Sequence, residues 1–185
     1  MTSTNEYILD AIRKWVWSGF YTPEQVDMMI DDILEEDADE QMLRAAVAPE
    51  FANKKEAEKL WEEFTDCDRL DSLVESLERS KILFLQNAGY TMSDGHQEAF
   101  EILADIPGHG FIGYCFYHGQ DVERVLDSDE LYIAFDHIDG DVPAKLKIGQ
   151  VLKEELEKAG FAVNWDGSPN RRVEVQINWK RRYRQ

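Results

Sequence analysis

The fold class of this chain depends on residues 81–86, Lys81-Ile82-Leu83-Phe84-Leu85-Gln86, where the spacing of apolar residues changes. Before this stretch, apolar residues recur every three or four positions, which is the spacing that lines one face of an α-helix. The stretch itself is short and apolar and is followed by Asn87-Ala88-Gly89, a pattern typical of a buried β-strand that ends in a turn. We therefore predict an acidic, all-helical region over residues 1–80 and an α+β sheet domain over residues 81–185.

The helical region is predicted to contain several short amphipathic helices. The spacing indicates helices over about 7–16, 23–36 and 40–48, and two more that begin at Asn53 and Asp66. Pro49 predicts the end of the third helix, because proline inside a helix removes a backbone hydrogen bond and clashes with the preceding turn. In the helix from Asn53 to Glu63 and just beyond it, we expect four side chains to be buried: Ala57, Leu60, Trp61 and Phe64.

Strands and helices alternate after residue 81. Strands are predicted near 82–86, 111–118, 131–135, 161–165 and 172–179, with helices near 93–105, 120–126 and 142–159. The last two strands are joined by residues 166–170, which suit a hairpin loop. The sequence thus predicts a mixed or antiparallel sheet of about five strands with packed helices, preceded by a helical layer.

The chain is strongly acidic, with 38 Asp and Glu against 20 Lys and Arg and a formal net charge of -18. Such a field attracts cationic surfaces and repels nucleic acid, phosphates and anionic membranes. Seven acids lie within residues 31–40: Asp31, Asp32, Glu35, Glu36, Asp37, Asp39 and Glu40. We interpret the chain as an acidic interaction protein that uses these seven residues to bind and neutralise a cationic protein; a solvated helix face is the alternative.

Catalytic and metal-binding signatures are weak. Cys67 and Cys115 lack a CxxC spacing and indicate reduced, buried thiols. We expect a non-enzymatic protein with no metal and no cofactor. The histidines show none of the spacings HxH, HxxxH or HExxH that metal sites favour: His96, His109, His118 and His137.

A second hypothesis places a small-ligand site or a hydrolase-like active site in the loops 87–95, 118–121 and 164–167. Asp121 could orient His118 as a base, but Asp121 at a helix start also suits a capping role. If these loops meet at one edge of the sheet, five side chains converge there: Asp94, His118, Gln120, Asp121 and Asp166.

Residues 180–184 form a basic tail, Lys180-Arg181-Arg182-Tyr183-Arg184. Because the rest of the chain is anionic, we expect these bases to pair with the acidic helices rather than with nucleic acid. No secretory signal and no membrane-spanning run is visible, so we predict a cytoplasmic protein without a membrane partner. The oligomeric state stays open.

Five motifs of the sheet domain and its C-terminal end stand out: Gly89-Tyr90-Thr91, Ser93-Asp94-Gly95, Tyr114-Cys115-Phe116-Tyr117-His118-Gly119-Gln120-Asp121, Asn164-Trp165-Asp166-Gly167 and Trp179-Lys180-Arg181-Arg182. These motifs resemble an uncharacterised bacterial family, a domain of unknown function. The resemblance spans most of residues 61–182 and implies a bacterial cytosolic protein with no established activity. By analogy, small acidic bacterial proteins of this kind are often immunity proteins that inhibit a basic toxin.

Overall fold

A computed structural model describes residues 2–108 and 110–183. The predicted α+β class and the mixed five-stranded sheet are confirmed. The helices are α1 (Ser3–Ser18), α2 (Pro23–Ile33), α3 (Glu40–Glu58), α4 (Asp66–Asp71), α5 (Leu73–Arg79), α6 (Met92–Asp105), α7 (Gly119–Ser128) and α8 (Val142–Lys158). The strands are β1 (Ile82–Gln86), β2 (Gly113–Tyr117), β3 (Glu130–His137), β4 (Ala162–Asn164) and β5 (Val173–Gln176).

The chain forms two compact units, which divide at a different place from the change in sequence pattern. The helical unit comprises Met1–Thr65 with Trp179–Gln185, and the sheet unit comprises Asp66–Asn178. The helices α4 and α5 fall in the sheet unit because α5 packs against β1 and α8. The helical pattern therefore continues past the boundary between the units.

The core of the helical unit is formed where α1 packs against α2 and α3. Thr22 caps α2 and exchanges hydrogen bonds with Gln25, and Pro23 occupies the first helical position, as predicted. Apolar side chains spaced three or four residues apart on each helix meet in one buried cluster. Its members include Ile8, Ile12, Val16, Val26, Ile30, Leu43 and Val47.

The prediction that the third helix ends at Pro49 is wrong. The helix α3 continues through Pro49 to Glu58, so it includes residues 53–58 of the predicted fourth helix, while residues 59–63 are not helical. Proline removes one backbone hydrogen bond, but packing of α3 against α1 outweighs this local cost. After α3 ends, Leu60 and Phe64 are 87% and 61% exposed, so their predicted burial is also wrong.

The basic C-terminal segment packs within the helical unit. Trp179 Nε1 donates to the Ser18 carbonyl over 3.1 Å, and Lys180 Nζ lies 2.9 Å from a Glu62 carboxylate oxygen. The Arg181 guanidinium stacks over the Phe20 ring at 4.6 Å. These bases therefore serve intramolecular contacts, although the acid that pairs with Lys180, Glu62, lies after the end of α3 and not in an acidic helix. Arg184 lies outside the described residues.

The sheet has the strand order β1-β2-β3-β5-β4, in which β1 and β2 are parallel and the other pairs are antiparallel. One face carries Tyr114, Phe116 and Ala134 and packs against α6; we call it the α6 face. Directly paired residues share a face, and residues two apart along a strand do too. Tyr132 and Glu174, which pair directly, therefore also lie on the α6 face.

Within the described residues, no helix is long and apolar enough to cross a membrane. Cys67 and Cys115 are buried and are not joined by a disulfide. Burial raises the pKa of the Cys115 thiol, which therefore stays protonated near neutral pH.

Candidate ligand-binding site

Asp121 is a completely buried carboxylate at the start of α7. It accepts a hydrogen bond from the backbone N–H of His118 at 3.3 Å, and its Oδ2 lies 3.2 Å from His118 Nε2. The structure thus brings together two of the residues that the sequence placed in one pocket. The backbone contact is a helix cap, because His118 occupies the position that precedes α7.

Two arginines compensate the buried charge of Asp121. Arg172 Nη1 lies 2.7 and 2.9 Å from its two carboxylate oxygens, and Arg124 Nη1 lies 2.8 Å from Oδ1. Both guanidinium groups also stack on Tyr132, at 5.1 and 5.4 Å from the ring centroid. A buried carboxylate requires such partners. Asp121 and Tyr132 in turn hold the Arg172 guanidinium in one orientation.

His118 is a buried, neutral histidine in this cluster. Burial lowers its pKa, the Asp121 carboxylate opposes this shift, and the neighbouring guanidinium groups reinforce it. Its Nδ1 is buried and has no hydrogen-bond partner among the described residues, while Nε2 faces Asp121 and Arg172. Both ring nitrogens therefore point away from solvent, which favours the structural interpretation of His118 over the hypothesis of a solvent-accessible base.

A cavity of about 220 Å³ opens between α6, α8 and the segment that precedes β5. We call it the cationic cavity, because no carboxylate is among the described residues that line it. Ala134 and Phe135 of β3 are among its lining residues. The polar residues of its lining are His96, Lys145, Asn170, Arg171 and Arg172.

The cations that line the cationic cavity have N–H groups that no described residue uses. Lys145 Nζ lies 3.0 Å from Asp136, and Arg171 Nη1 lies 3.2 Å from Asp166. All described side-chain hydrogen bonds of Arg171 and Arg172 use Nη1 alone. Since a guanidinium has five N–H groups, Nε and Nη2 of both arginines are available to an anion.

His96 and Tyr114 form a second polar contact at the edge of the cationic cavity. Nδ1 of His96 lies 2.8 Å from the Tyr114 hydroxyl, and the two rings meet edge to face. Burial lowers the pKa of His96 and raises the pKa of Tyr114 to about 12. Both groups are therefore neutral near pH 7, so the charged residues of the lining are its lysine and two arginines, each of which also pairs with a carboxylate outside the lining.

A second cavity of about 200 Å³ shares Arg171 and Arg172 with the first. Glu174 adds a carboxylate here, so we call it the mixed cavity. The Glu174 carboxylate accepts one hydrogen bond, from Asn164 Nδ2 at 3.2 Å. The remaining lining residues are the aromatic side chains of Tyr132 and Trp165.

The seven acids of residues 31–40 lie in the helical unit, and all seven are exposed. Four of them have structural contacts. Asp31 and Glu40 form ion pairs with Arg44, Asp39 caps α3 through the Met42 N–H, and Asp37 accepts a hydrogen bond from Thr4. Asp32, Glu35 and Glu36 make no side-chain hydrogen bond or ion pair among the described residues.

Two exposed apolar side chains lie beside these acids. Met28 is 68% exposed and precedes Asp31 and Asp32 by about one helical turn. Tyr7 is 64% exposed and lies one turn after Thr4, the hydrogen-bond partner of Asp37. The acids and the apolar groups are thus neighbours on the surface of the helical unit.

The sequence pattern of one protein family, a domain of unknown function (DUF6891), matches residues 1–183. The chain belongs to the DUF6891 family. This confirms the resemblance to a domain of unknown function, and the match extends beyond the predicted span 61–182. Comparisons of this DUF6891 chain with curated proteins and with solved structures gave no match.

The remaining predicted pocket residues of the DUF6891 chain are dispersed around the cavities. Asp166 approaches both cavities through its ion pair with Arg171. Asp94 caps α6 by accepting from Thr91, and backbone hydrogen bonds lower the pKa of its carboxyl. Gln120 is exposed on α7 and lines neither cavity.

The sequence hypothesis missed the cations that line the cavities. Arg171 and Arg172 lie among the basic residues near the C-terminus but stand just before β5, and Lys145 is one of several lysines on α8. Two adjacent arginines that precede a half-exposed strand in a chain of net charge -18 are the signal that could have identified them. Among the described residues no cluster with metal-ligand character occurs, and His109 lies outside them.

Proposed function

We propose that this protein binds a small ligand through an anionic group, a phosphate or a carboxylate, that occupies the cationic cavity. The observation that carries the proposal is the lining of this cavity: three cations from two separate segments and no described carboxylate, in a chain of net charge -18. Unused N–H groups of Arg171 and Arg172 supply the planar, charge-assisted hydrogen bonds that carboxylates and phosphates accept.

The overall charge of the chain opposes this ligand only weakly. The sheet unit has 22 acids and 10 bases, a net charge of -12. At an ionic strength near 0.1 M, exposed charges farther than about 10 Å from the ligand are largely screened, whereas donors that contact it are not. The local donors therefore determine the affinity, and the field of the chain slows the association.

The buried Asp121 cluster supports binding by preorganisation. Because Asp121 and Tyr132 already fix the Arg172 guanidinium, little further side-chain entropy is lost when an anion binds to it. His118, which the sequence suggested as a base, lines neither cavity. We therefore propose ligand binding and assign no catalytic residue.

We predict that the double variant Arg171→Gln/Lys145→Met binds inorganic phosphate at least tenfold more weakly than the unmodified protein. The variant removes two donors from the cavity but leaves the Asp121–Arg172 pair intact. Titration calorimetry with phosphate and with acetate at constant ionic strength measures the effect. Arg79→Gln/Lys147→Met is the control, because it removes the same charge from exposed sites of the sheet unit. Equal phosphate affinity in the two double variants would contradict the proposal.

A second candidate function is favoured by the exposed acids of residues 31–40 and the adjacent Tyr7 and Met28. Acidic groups around apolar anchors suit a protein interface, in which charge steers the encounter and apolar contacts stabilise the complex. The partner of this surface would be a cationic protein, for example a bacterial toxin that the chain inhibits as an immunity protein.

The second candidate predicts that Asp32→Asn/Glu35→Gln/Glu36→Gln loses a basic partner that the unmodified protein retains. These three acids make no described side-chain hydrogen bond or ion pair, so their neutralisation leaves the fold intact. Affinity capture from the source lysate at low and high salt tests this. The control Glu78→Gln/Asp105→Asn/Asp139→Asn removes the same charge elsewhere. Retention of the same partner by both variants, unaffected by salt, would exclude this surface.

A further inference from the structure

We infer that the ligand joins its anionic group to a hydroxylated, sugar-like part, and that the mixed cavity binds this second part. The inference rests on the proposed function, because it assigns the anionic group to the cationic cavity. Its basis is the contrast between the two cavities, which share Arg171 and Arg172 but differ in that only the mixed cavity contains a carboxylate.

The sizes of the cavities indicate one ligand that extends over both. The cavities measure about 220 and about 200 Å³ and share two lining residues. Sites for small molecules typically measure about 300–1,000 Å³, so each cavity alone is small for a whole metabolite and the pair is not. An anionic group in the cationic cavity therefore leaves the mixed cavity for the rest of the molecule.

Hydroxyl groups suit the polar lining of the mixed cavity. Glu174 forms no ion pair among the described residues and receives one hydrogen bond, from Asn164, so it can accept more. Arg171 and Arg172 have donors that no described residue uses. A hydroxyl group both donates and accepts, and it can therefore satisfy the carboxylate and a guanidinium together.

Other ligand groups fit this cavity less well. An ammonium group would gain from Glu174 but would lie beside two guanidinium groups, which repel it. A large apolar group would leave Glu174 and both arginines without water or a polar partner, and desolvation of charges is costly. Stacking on Tyr132 is also limited, because Arg124 and Arg172 already contact its ring.

Trp165, which is also among the lining residues of the mixed cavity, anchors the backbone that carries Arg171. Its Nε1 lies 3.1 Å from the carbonyl oxygens of Ser168 and Arg171, and its ring meets Phe135 edge to face at 5.3 Å. Gly149 permits this packing, because a Cβ there would lie 2.9 Å from the Trp165 ring. The indole is therefore held in place before any ligand arrives, which reduces the entropy lost on binding.

The test compares probes that separate the two parts of the ligand. Calorimetric titration uses inorganic phosphate, phenyl phosphate, glucose, glucose 6-phosphate and glucuronate. We expect glucose 6-phosphate or glucuronate to bind at least tenfold more tightly than inorganic phosphate and phenyl phosphate. In Glu174→Gln this advantage should fall at least fivefold, while phosphate affinity stays the same or increases, because the variant removes a negative charge near the arginines. Glu78→Gln, at an exposed site, is the matched control.

The outcomes distinguish this inference from the proposed function. If phenyl phosphate equals glucose 6-phosphate, or if Glu174→Gln preserves the advantage of the sugar, the hydroxylated ligand is excluded while anion binding stands. If none of the anionic probes binds, or if glucose binds as tightly as its phosphate, the proposed function fails, and the inference fails with it.

Discussion

Replacement of Asp121 by asparagine is expected to lower the free energy of unfolding by about 2–4 kcal/mol. Asp121 is completely buried and contacts Arg172, Arg124 and His118. Loss of its charge leaves a buried amide that cannot satisfy two guanidinium groups. The cost stays near the lower end of the range for broken buried pairs, because both arginines keep some access to solvent.

Urea denaturation of the unmodified protein and of Asp121→Asn measures this effect. Asp166→Asn is the matched control, since it removes the charge of an exposed aspartate that pairs with Arg171. We expect the control to change stability much less, because solvent screens an exposed pair. If both variants had the same stability, Asp121 would not stabilise the sheet unit as a buried ion-pair centre.

The same variant also tests the link between the cluster and the ligand site. Arg172 depends on Asp121 for its orientation, so Asp121→Asn should bind phosphate more weakly even at a temperature where it is fully folded. Asp166→Asn frees the Arg171 guanidinium and should bind phosphate as well as the unmodified protein, or better. Weaker binding in Asp121→Asn therefore identifies a positioning role, which a purely structural aspartate would not have.

The sequence predicted the strands of the sheet well, because the apolar pattern that marks each strand lies within a few consecutive residues. The β1 stretch after Lys81 is apolar and bounded by a turn, and Val173 and Val175 alternate with polar residues in β5. The last strand ends at Gln176 rather than near Trp179, because Trp179 packs in the helical unit. The alternation of residues along the last strand does not reveal the contact of Trp179 with Ser18, because the two residues are far apart in the sequence.

The continuation of α3 through Pro49 and the lining of the cationic cavity were not predictable in the same way. A proline predicts a break, but packing of α3 against α1 decides the outcome, and that packing is tertiary. Likewise, Lys145 and Arg171 are far apart in sequence and meet only because α8 and the β5 segment border one cavity. The contact between His118 and Asp121 was predictable from the sequence, because the two residues lie only three positions apart.

Replacement of Gly19 by alanine is expected to lower the free energy of unfolding by about 2–5 kcal/mol. Gly19 ends α1 with a φ of 79°, a left-handed conformation that costs an L-residue about 1–2 kcal/mol. A Cβ at this position would also lie 2.5 Å from the Arg181 carbonyl oxygen. Because that atom belongs to the backbone, the C-terminal segment must move, which adds about 1–3 kcal/mol.

Gly167→Ala separates these two contributions. Gly167 has a φ of 78°, and a Cβ added there would meet no atom within 4 Å, so alanine costs only the backbone strain. The difference between the two variants in urea denaturation therefore reports the contact with Arg181.

Amide hydrogen exchange measures the same contact independently, because it reports local opening of the backbone. Exchange over residues 179–183 should be faster in Gly19→Ala and unchanged in Gly167→Ala. Equal costs and unchanged exchange would mean that the C-terminal segment does not pack against the end of α1 in solution. A larger cost at Gly19, together with faster exchange, would show that the segment after Asn178 stabilises the helical unit by packing against it.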